Sequence, residues 1–366
     1  MEKFYINNIS DLIFLRLNNQ LFDEITVNAT LLQKKNIFRF GLKYAFWNLK
    51  VGGEIVINCN IFRNFSFQKK YIDFWQTAAE IGMTLKEEVK FVTYNKSKGV
   101  IRLEKLNDPY INTGVSFGIV FSGNDSELDL ISKSIHSCIN QVNKKEIPNE
   151  IIICGPSDYD VSNFEKFGIN LKLIKYLPSD IEVKPRILIC IKKNRILKEA
   201  KYNIVSISHG RIEFPDDYLF KVFHKKFDFI SPKVEVEVEG KKYPFLDIGL
   251  IGSYDIYKRA INRSISVGFV GGKDFFNNLK NRVVYNEGGV VLINKTTLNV
   301  MFNENLAWGE GEDVDLSARA YYSGALIDYY DDIKCLSNTA KFNAKLVGLN
   351  KIKFFFIRTL VSKGII

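Results

Sequence analysis

Two apolar runs on either side of an amphipathic segment limit the fold of this chain more than any other feature of its sequence. Val115 to Phe121 and Glu150 to Cys154 have the composition of buried strands. Between them, Leu128 to Val142 repeats apolar residues at helical spacing, at Leu128, Ile131, Ile135 and Ile139. A strand, a helix and a second strand in this order predict an α/β domain built on an open parallel sheet.

Polar turns follow both of these strands. Ser122, Gly123 and Asn124 come after the first strand, and Gly155 and Ser157 come after the second. The carboxyl ends of strands in an open parallel sheet border the crevice where ligands bind, and backbone amides there suit phosphate groups. We therefore predict that these five residues bind a nucleotide-sugar donor.

A glycine-rich and acidic stretch from Gly288 to Ala320 is the candidate catalytic segment. It contains a predicted strand, Val290 to Asn294, then a loop with a tryptophan, and four carboxylates within six residues, at Glu310, Glu312, Asp313 and Asp315. Acidic residues are stabilised at a helix N-terminus, so an acidic helix cap is one interpretation. The glycines and Trp308 favour a ligand site, because glycine lets a ligand approach the backbone and an indole gives a sugar ring a flat apolar face.

The order Gly-Gly, strand, Trp-Gly-Glu-x-Glu-Asp-x-Asp resembles the acceptor-side segment of inverting nucleotide-sugar glycosyltransferases of the GT-A fold. "SIHSCINQ" followed by "NEIIICGPSDYD" resembles the opening β-α-β unit of that fold. The resemblance implies a Rossmann-like mixed sheet of the GT-A type. It also implies that Asp313 or Glu312 is the catalytic base. The acceptor-binding residues that it implies are Gly288, Gly289, Trp308, Gly309 and Glu310.

The end of a strand predicted over Tyr202 to Ile207 departs from that family. The family has Asp-x-Asp there, which binds a divalent metal on the sugar diphosphate, whereas this sequence has Ser208, His209 and Gly210. His209 could ligate Mn²⁺ or Mg²⁺, or it could be a structural or hydrogen-bonding residue. The sequence therefore leaves open whether the protein uses a divalent metal cofactor.

Basic residues near this strand could replace the missing acids. Arg211 could neutralise the diphosphate, together with a basic cluster that follows a strand predicted at Ile187 to Ile191. We therefore place six residues in the donor site: Ser208, His209, Arg211, Lys192, Lys193 and Asn194. We expect the cluster on a loop between strand and helix. A solvated helix start is the alternative interpretation.

Residues 1–108 predict a smaller α/β unit. We predict strands at Leu12 to Leu17 and Glu54 to Asn58, helices at 30–49 and 68–81, and a closing hairpin at 90–94 and 100–105. "AFWNLKVGGEIVINCN" and the hairpin resemble the C-terminal half of class I S-adenosylmethionine methyltransferases. No G-x-G-x-x-G occurs in this region. We therefore expect a truncated, half-Rossmann domain that acts as a scaffold and binds no S-adenosylmethionine.

The remaining segments complete a four-part division. A polar linker is predicted at 109–114, the glycosyltransferase domain at 115–340, and a basic amphipathic helix at 341–366. This helix could lie on an anionic membrane surface or dock on the sheet by its apolar face. Within the second domain we also predict a strand at 171–176, an exposed hairpin at "KVEVEVEGKKYPF", and a mobile loop before Tyr285.

Composition narrows the class of partner. A net charge of +10 suits a phosphate-bearing substrate, nucleic acid or an anionic membrane, although a lysine-rich solvated surface gives the same value. The basic residues are spread out and form no recognition module, so we predict no nucleic-acid partner. The five cysteines are widely spaced, which argues against a disulfide framework and a zinc site.

We predict a cytoplasmic protein with a peripheral contact at the inner face of the membrane, because the sequence has neither a signal peptide nor an apolar run of about 18 residues. The predicted activity is sugar transfer from a nucleotide-diphosphate sugar to a carbohydrate or glycolipid acceptor in surface polysaccharide assembly. The alternative is a non-catalytic scaffold of such an assembly, in which the missing cofactor loop and acidic motif both reflect decay.

Overall fold

The computed structural model describes most of the chain, namely residues 1–18, 20–28, 35–58, 77–95, 98–142, 146–179, 188–238, 241–244, 248–251, 265–266, 276, 279, 283–308 and 310–339. The predicted C-terminal helix at 341–366 lies outside the described residues. Two compact units divide the chain. The first contains Met1–Ile111, Val270–Val283 and Arg319–Leu326, and the second contains Asn112–Phe269, Val284–Ala318 and Ile327–Ile366.

The boundary after Ile111 falls inside the predicted linker at 109–114. Two segments of the first unit, Val270–Val283 and Arg319–Leu326, lie within the range that we predicted for the glycosyltransferase domain.

The first unit is a five-stranded sheet with helices. Its elements are β1 (Lys3–Ile6), α1 (Ile9–Leu17), β2 (Phe22–Asn28), α2 (Lys35–Trp47), β3 (Leu49–Asn58), α3 (described over 77–85), β4 (Val89–Asn95) and β5 (Val100–Lys105). The strand order is β1-β2-β3-β5-β4. The first three strands are parallel, and the β4–β5 hairpin is antiparallel with β5 against β3. The predicted closing hairpin is confirmed.

The strand predicted at Leu12 to Leu17 is wrong, because these residues belong to helix α1. Asn8 caps this helix by accepting hydrogen bonds from the amides of Ser10 and Asp11, and the Asp11 carboxylate accepts one from the Asn8 amide. This reciprocal capping box is a helix-start signal that outweighs the strand-like composition of the following residues. Strands β1 and β2 were not predicted.

A buried ion pair lies in the core of the first unit. The Arg39 guanidinium donates to the Glu80 carboxylate at 2.7 Å and lies over the Tyr321 ring at 3.9 Å. It also donates to the Tyr321 carbonyl. These contacts explain why the chain around Tyr321 belongs to the first unit.

The second unit contains the larger sheet. Its first half comprises β6 (Val115–Val120), α4 (Leu128–Val142), β7 (Asn149–Pro156), β8 (Ile174–Ser179), α5 (Ile189–Glu199), β9 (Ile204–His209), β10 (Ile212–Glu213) and α6 (Tyr218–Phe223). The rest comprises β11 (Phe229–Val238), β12 (Lys241–Pro244), β13 (Ile248–Ile251), β14 (Ile265–Ser266), β15 (Val283–Asn286), β16 (Val290–Asn294), α7 (Glu312–Tyr322) and β17 (Ile327–Ser337), with the two ends of β15 and of α7 assigned to different units.

The order of the large sheet is β10-β17-β11-β16-β9-β6-β7-β8. Strands β9, β6, β7 and β8 are parallel, whereas β16 is antiparallel to β9. Strand β12 pairs with β11 as the predicted hairpin. Strands β13, β14 and β15 form a separate three-stranded sheet. Beyond β9 the sheet continues through β16, β11, β17 and β10, where the β16–β11 and β17–β10 pairs are antiparallel and the β11–β17 pair is parallel. The sheet is therefore mixed, and the predicted mixed α/β fold class is confirmed.

Three local predictions for the second unit are wrong or shifted. The described part of the strand predicted at Ile187 to Ile191 is the start of helix α5, whose buried residues recur at helical spacing. The strand predicted at 171–176 begins only at Ile174, after a 3₁₀ turn. The mobile loop was predicted between Ile251 and Tyr285, and its described parts include strand β14 and the start of β15. Strand β17 was not predicted. No helix in the described residues has the length and apolar character needed to cross a membrane.

Candidate active site

The parallel strands β6, β7 and β9 end at one edge of the large sheet. Val120, the last residue of β6, is in register with His209, the last residue of β9. On the other side of β6, the Phe121 amide donates to the Cys154 carbonyl of β7 at 2.9 Å. The polar turns that follow these strands therefore meet at this edge, as the parallel arrangement predicted.

A pocket of about 340 Å³ lies at this edge, and it brings together five of the predicted site residues: Ser122, Lys192, His209, Arg211 and Trp308. Apolar side chains of Phe121, Leu130 and Ile131 form part of its wall. Trp308 is 45% exposed, so part of its indole is accessible from solvent. The pocket combines flat and apolar surfaces with basic groups, which is the composition expected for a ligand that has a ring and an anionic part.

Lys192 and Arg211 give the pocket its positive charge. The Lys192 ammonium is buried and donates one hydrogen bond to the Phe121 carbonyl at 2.9 Å. Burial lowers the pKa of Arg211, and the Glu127 carboxylate partly opposes that shift. Glu127 also lines the pocket, where it accepts a hydrogen bond from the Ser122 hydroxyl at 2.6 Å.

The Gly288–Gly289 turn connects the pocket edge to the carboxylates of α7. The His209 amide donates to the Gly289 carbonyl at 3.1 Å. The Gly288 amide donates to Oδ2 of Asp313 at 3.3 Å, and the Gly288 carbonyl accepts from Lys193 Nζ at 3.3 Å. The Gly288–Gly289 turn therefore links the end of β9, helix α5 and the start of α7.

Lys193 is a buried cation beside the two candidate catalytic carboxylates. Its side chain is 0% exposed, and that of Glu312 is 6% exposed. Burial lowers the pKa of Lys193, whereas the charges of Glu312 and Asp313 oppose the shift. Nζ also lies 4.8 Å from the centre of the Phe302 ring, a distance at which the ring face attracts a cation. Lys193 thus compensates buried negative charge, and it does not line the pocket.

Asp313 differs from Glu312 in exposure and in hydrogen bonding. It is half-buried, and its two oxygens accept from the Gly288 amide and, at 2.8 Å, from the Val314 amide. It lies in the first turn of α7. Each carboxylate oxygen keeps a further lone pair that could accept a proton.

Several predicted site residues do not line the pocket and have structural roles instead. Asn124 caps a 3₁₀ turn by accepting from the Ser126 amide, and Asn194 binds the backbone of Phe302. The Glu310 carboxylate closes its own loop by accepting from the Ala307 amide at 2.8 Å. Gly123, at φ +85° and packed on Pro156, has a conformation that requires glycine.

The other predicted donor and acceptor residues are near the edge but do not line the pocket. Gly155 packs against the Tyr176 hydroxyl, Ser157 is exposed, and Ser208 is buried within β9. Gly309 lies outside the described residues. The lysine cluster was expected on a loop, and this was wrong, because Lys192, Lys193 and Asn194 lie inside helix α5 and are buried.

The donor atoms around His209 do not fit a hard divalent cation. The Arg211 guanidinium lies against His209, with Nη1 3.4 Å from Nδ1, so a cation already stands beside this ring nitrogen. Mg²⁺ and Mn²⁺ prefer several oxygen ligands, and within the described part of the chain no group of three or more His, Cys, Asp and Glu side chains could hold a metal ion.

Two polar side chains that line the pocket, Glu127 and Thr339, were not among the predicted site residues, and neither was its apolar wall. Glu127 lines the pocket from the turn before α4, and Thr339 lines it after β17. Glu127 follows the Ser-Gly-Asn turn closely, so its position after the first strand was an available signal. Thr339 had none, because strand β17 was not predicted.

Comparisons with known proteins give distant structural similarity. No family model matches the chain, and no curated protein matches it. Among solved structures, S. aureus TarS 1–349 has a TM-score of 0.38 and 14% identity over 62% of this chain and 60% of that one. The mannosyltransferase PcManGT from Pyrobaculum calidifontis, in complex with GDP-Man and Mn²⁺, has a TM-score of 0.37 and 12% identity, with coverages of 84% and 70%.

The inositol-1-phosphate CTP transferase from T. maritima has a TM-score of 0.36 and 12% identity, and the match covers 69% of this chain and 98% of that one. The match with TarS 1–349 covers 60% of that fragment, so this chain spans less than two thirds of its length. Because all three TM-scores lie below 0.5, the chemistry of the site has to be inferred from its own residues.

Proposed function

We propose that this chain is a glycosyltransferase that transfers a sugar from a nucleotide-diphosphate sugar to a carbohydrate or glycolipid acceptor with inversion. One observation carries the proposal. The Gly288–Gly289 turn hydrogen-bonds on one side to the end of β9, beside a basic pocket, and on the other side to the Asp313 carboxylate. A site for an anionic donor and a carboxylate that could accept a proton therefore lie next to each other.

In this proposal the nucleotide occupies the pocket at the ends of β6 and β9. The apolar wall around Phe121 and Ile131 packs against the base, and Arg211 and Lys192 face the diphosphate. Trp308 forms an apolar face for a sugar ring. The acceptor belongs to surface polysaccharide or glycolipid assembly, such as capsule or lipopolysaccharide.

The proposed sugar transfer depends on the two carboxylates at the start of α7, Glu312 and Asp313. The acceptor hydroxyl attacks the anomeric carbon, the bond from that carbon to the diphosphate oxygen breaks, and Asp313 takes the hydroxyl proton. The products are the glycoside and the nucleoside diphosphate. We assign the base to Asp313 because it is half-exposed, whereas Glu312 is buried near Lys193. Glu312 then has a positioning role.

The test compares Asp313→Asn and Glu312→Gln, with Asp315→Asn as a control that removes a charge from the same helical turn. The assay measures nucleotide released from UDP-, GDP-, CDP- and dTDP-sugars with simple glycosides as acceptors, and donor affinity by calorimetry. Asp313→Asn should lower kcat by about 10²- to 10⁴-fold and leave donor affinity within about twofold. Asp315→Asn should change neither.

A non-catalytic scaffold predicts a different pattern. Wild-type protein would then bind a sugar nucleotide but release no nucleotide under any of these conditions. Turnover retained in both Asp313→Asn and Glu312→Gln would reject the catalytic assignment. A loss of stability of about 0.5–2 kcal/mol with normal turnover would indicate that these residues only cap the helix.

A further inference from the structure

We infer that the pocket binds the donor diphosphate without a divalent cation, and that Arg211 and Lys192 supply the positive charge that a metal would otherwise provide. The inference rests on the proposed function, because it concerns the anionic part of the proposed donor. It departs from the metal-dependent Asp-x-Asp chemistry that the GT-A resemblance implied for the end of β9.

The first support is the chemistry of the groups at the strand end. Arg211 Nη1 lies 3.4 Å from His209 Nδ1, so a guanidinium already stands where a metal ion on this ring nitrogen would lie. Ser208 is buried within β9 and lies between neighbouring strands. Glycine follows His209, so this turn supplies no carboxylate.

The second support is the charge balance of the pocket wall. Among the described residues that line it, the ionisable side chains are two basic ones, Lys192 and Arg211, one carboxylate, Glu127, and the His209 imidazole. The Glu127 carboxylate already accepts a hydrogen bond from Ser122. The wall therefore has a net positive charge before any ligand enters, which repels a divalent cation and attracts a diphosphate.

The third support is how the two cations are held. Lys192 is buried and donates to the Phe121 carbonyl at 2.9 Å, which fixes the position of its ammonium group at the pocket wall. Arg211 is held beside His209, and a guanidinium can donate two parallel hydrogen bonds to phosphate oxygens. Groups that are already positioned lose little freedom when an anion binds, so they can replace a metal as the counter-charge.

The experiment measures binding of UDP, GDP and CDP to the full chain by isothermal titration calorimetry. Each titration is done after dialysis against EDTA and again with excess Mg²⁺ or Mn²⁺. We expect at least one nucleotide to bind in EDTA, with a Kd that changes by less than about threefold when the cation is added. Arg211→Met should weaken that binding by about 10- to 100-fold, which is the effect of losing charge-assisted hydrogen bonds.

Lys198→Met is the matched control, because Lys198 is an exposed residue of α5, the helix that carries Lys192. It should leave the Kd unchanged. Circular dichroism and melting temperature verify that Arg211→Met is folded, and the EDTA titration of wild-type protein tests the inference without any variant.

Two outcomes separate this inference from the proposed function. Nucleotide binding that occurs only with Mg²⁺ or Mn²⁺, or an unchanged Kd in folded Arg211→Met, would overturn the inference and leave the proposed function standing. Absence of nucleotide binding under every condition would overturn both.

Discussion

The substitution Lys193→Met tests whether a buried cation holds the two candidate catalytic carboxylates in place. Methionine keeps most of the length of the lysine stem and removes the ammonium group. The variant therefore takes away the positive charge beside Glu312 and Asp313, and it removes the donor to the Gly288 carbonyl. It leaves the basic pocket unchanged, because Lys193 does not line that pocket.

The expected magnitude follows from burial. Lys193 is 0% exposed and Glu312 is 6% exposed, so solvent cannot replace the lost charge on the carboxylate. Removal of one partner from a buried pair of charges typically costs about 3–5 kcal/mol, because the other charge stays buried without compensation. Desolvation of Lys193 itself, which lowers its pKa, offsets part of this cost, so we expect Lys193→Met to lower the free energy of unfolding by about 1–3 kcal/mol. The double variant Lys193→Met/Glu312→Gln should recover part of this loss, since it removes both charges.

The assay is urea-induced unfolding of the full chain, followed by near-UV circular dichroism, for wild type, both single variants and the double variant. Lys198→Met, which changes an exposed lysine of the same helix, should lie within about 0.5 kcal/mol of wild type. A Lys193→Met variant as stable as this control would refute the reasoning. Strict additivity of the two single substitutions would also refute it, because additive effects mean that the two groups do not interact.

The same variant has a defined pH dependence. Burial lowers the pKa of Lys193 in the folded chain, whereas in the unfolded chain it keeps its ordinary value of 10.5. Between these two pKa values the unfolded state binds more protons, so the Lys193 contribution to stability rises with pH across this window. The difference in stability between wild type and Lys193→Met should therefore increase as pH rises toward 10.5, and a decreasing difference would contradict the assignment.

Two further predictions concern Gly288 and the cysteines. A side-chain carbon on Gly288 would lie 2.9 Å from Lys193 Nζ and 3.6 Å from Glu312 Oε1, so Gly288→Ala should cost about 1–3 kcal/mol and lower turnover, whereas Gly82→Ala, with open space around it, should not destabilise the chain. Urea unfolding and the nucleotide-release assay measure these effects. Cys138, Cys154, Cys190 and Cys335 are buried, and burial raises the pKa of Cys154 to about 11. These four thiols should react with Ellman's reagent at about pH 8 only after denaturation, and labelling of Cys154 in the native chain, read by mass spectrometry, would contradict this.

The sequence was most informative where one periodicity dominated. Helix α4 has its observed bounds at the predicted residues, because its apolar side chains repeat at helical spacing and polar residues fill the other face. Strand β16 and the acidic start of α7 also lie where they were predicted. The glycine turn therefore precedes a strand, and the Glu-Asp pair opens a helix, as the sequence predicted.

The failures have a common physical origin in short apolar segments. The residues of α1 have a composition that suits a strand as well as a helix, and only the cap at Asn8 decides between them. In α5 the helical spacing of apolar residues was harder to recognise, because Lys192, Lys193 and Asn194 interrupt it although all three are buried. Charged residues are almost never fully buried unless they are paired, so a sequence pattern assigns them to the surface. Their partners lie at Phe121, Gly288 and Phe302, which are far away along the chain.

Helix α5 connects the two halves of the proposed reaction through adjacent residues. Successive side chains of a helix point about 100° apart, so the adjacent residues Lys192 and Lys193 lie in different surroundings. Lys192 lines the pocket and donates to the Phe121 carbonyl, whereas Lys193 donates to the Gly288 carbonyl beside the α7 carboxylates. A shift of α5 along its axis would move both ammonium groups together. In the proposed reaction, helix α5 therefore contacts both the donor pocket, through Lys192, and the Gly288 turn that binds Asp313, through Lys193. Placing such groups on one helix favours a fixed arrangement of the site.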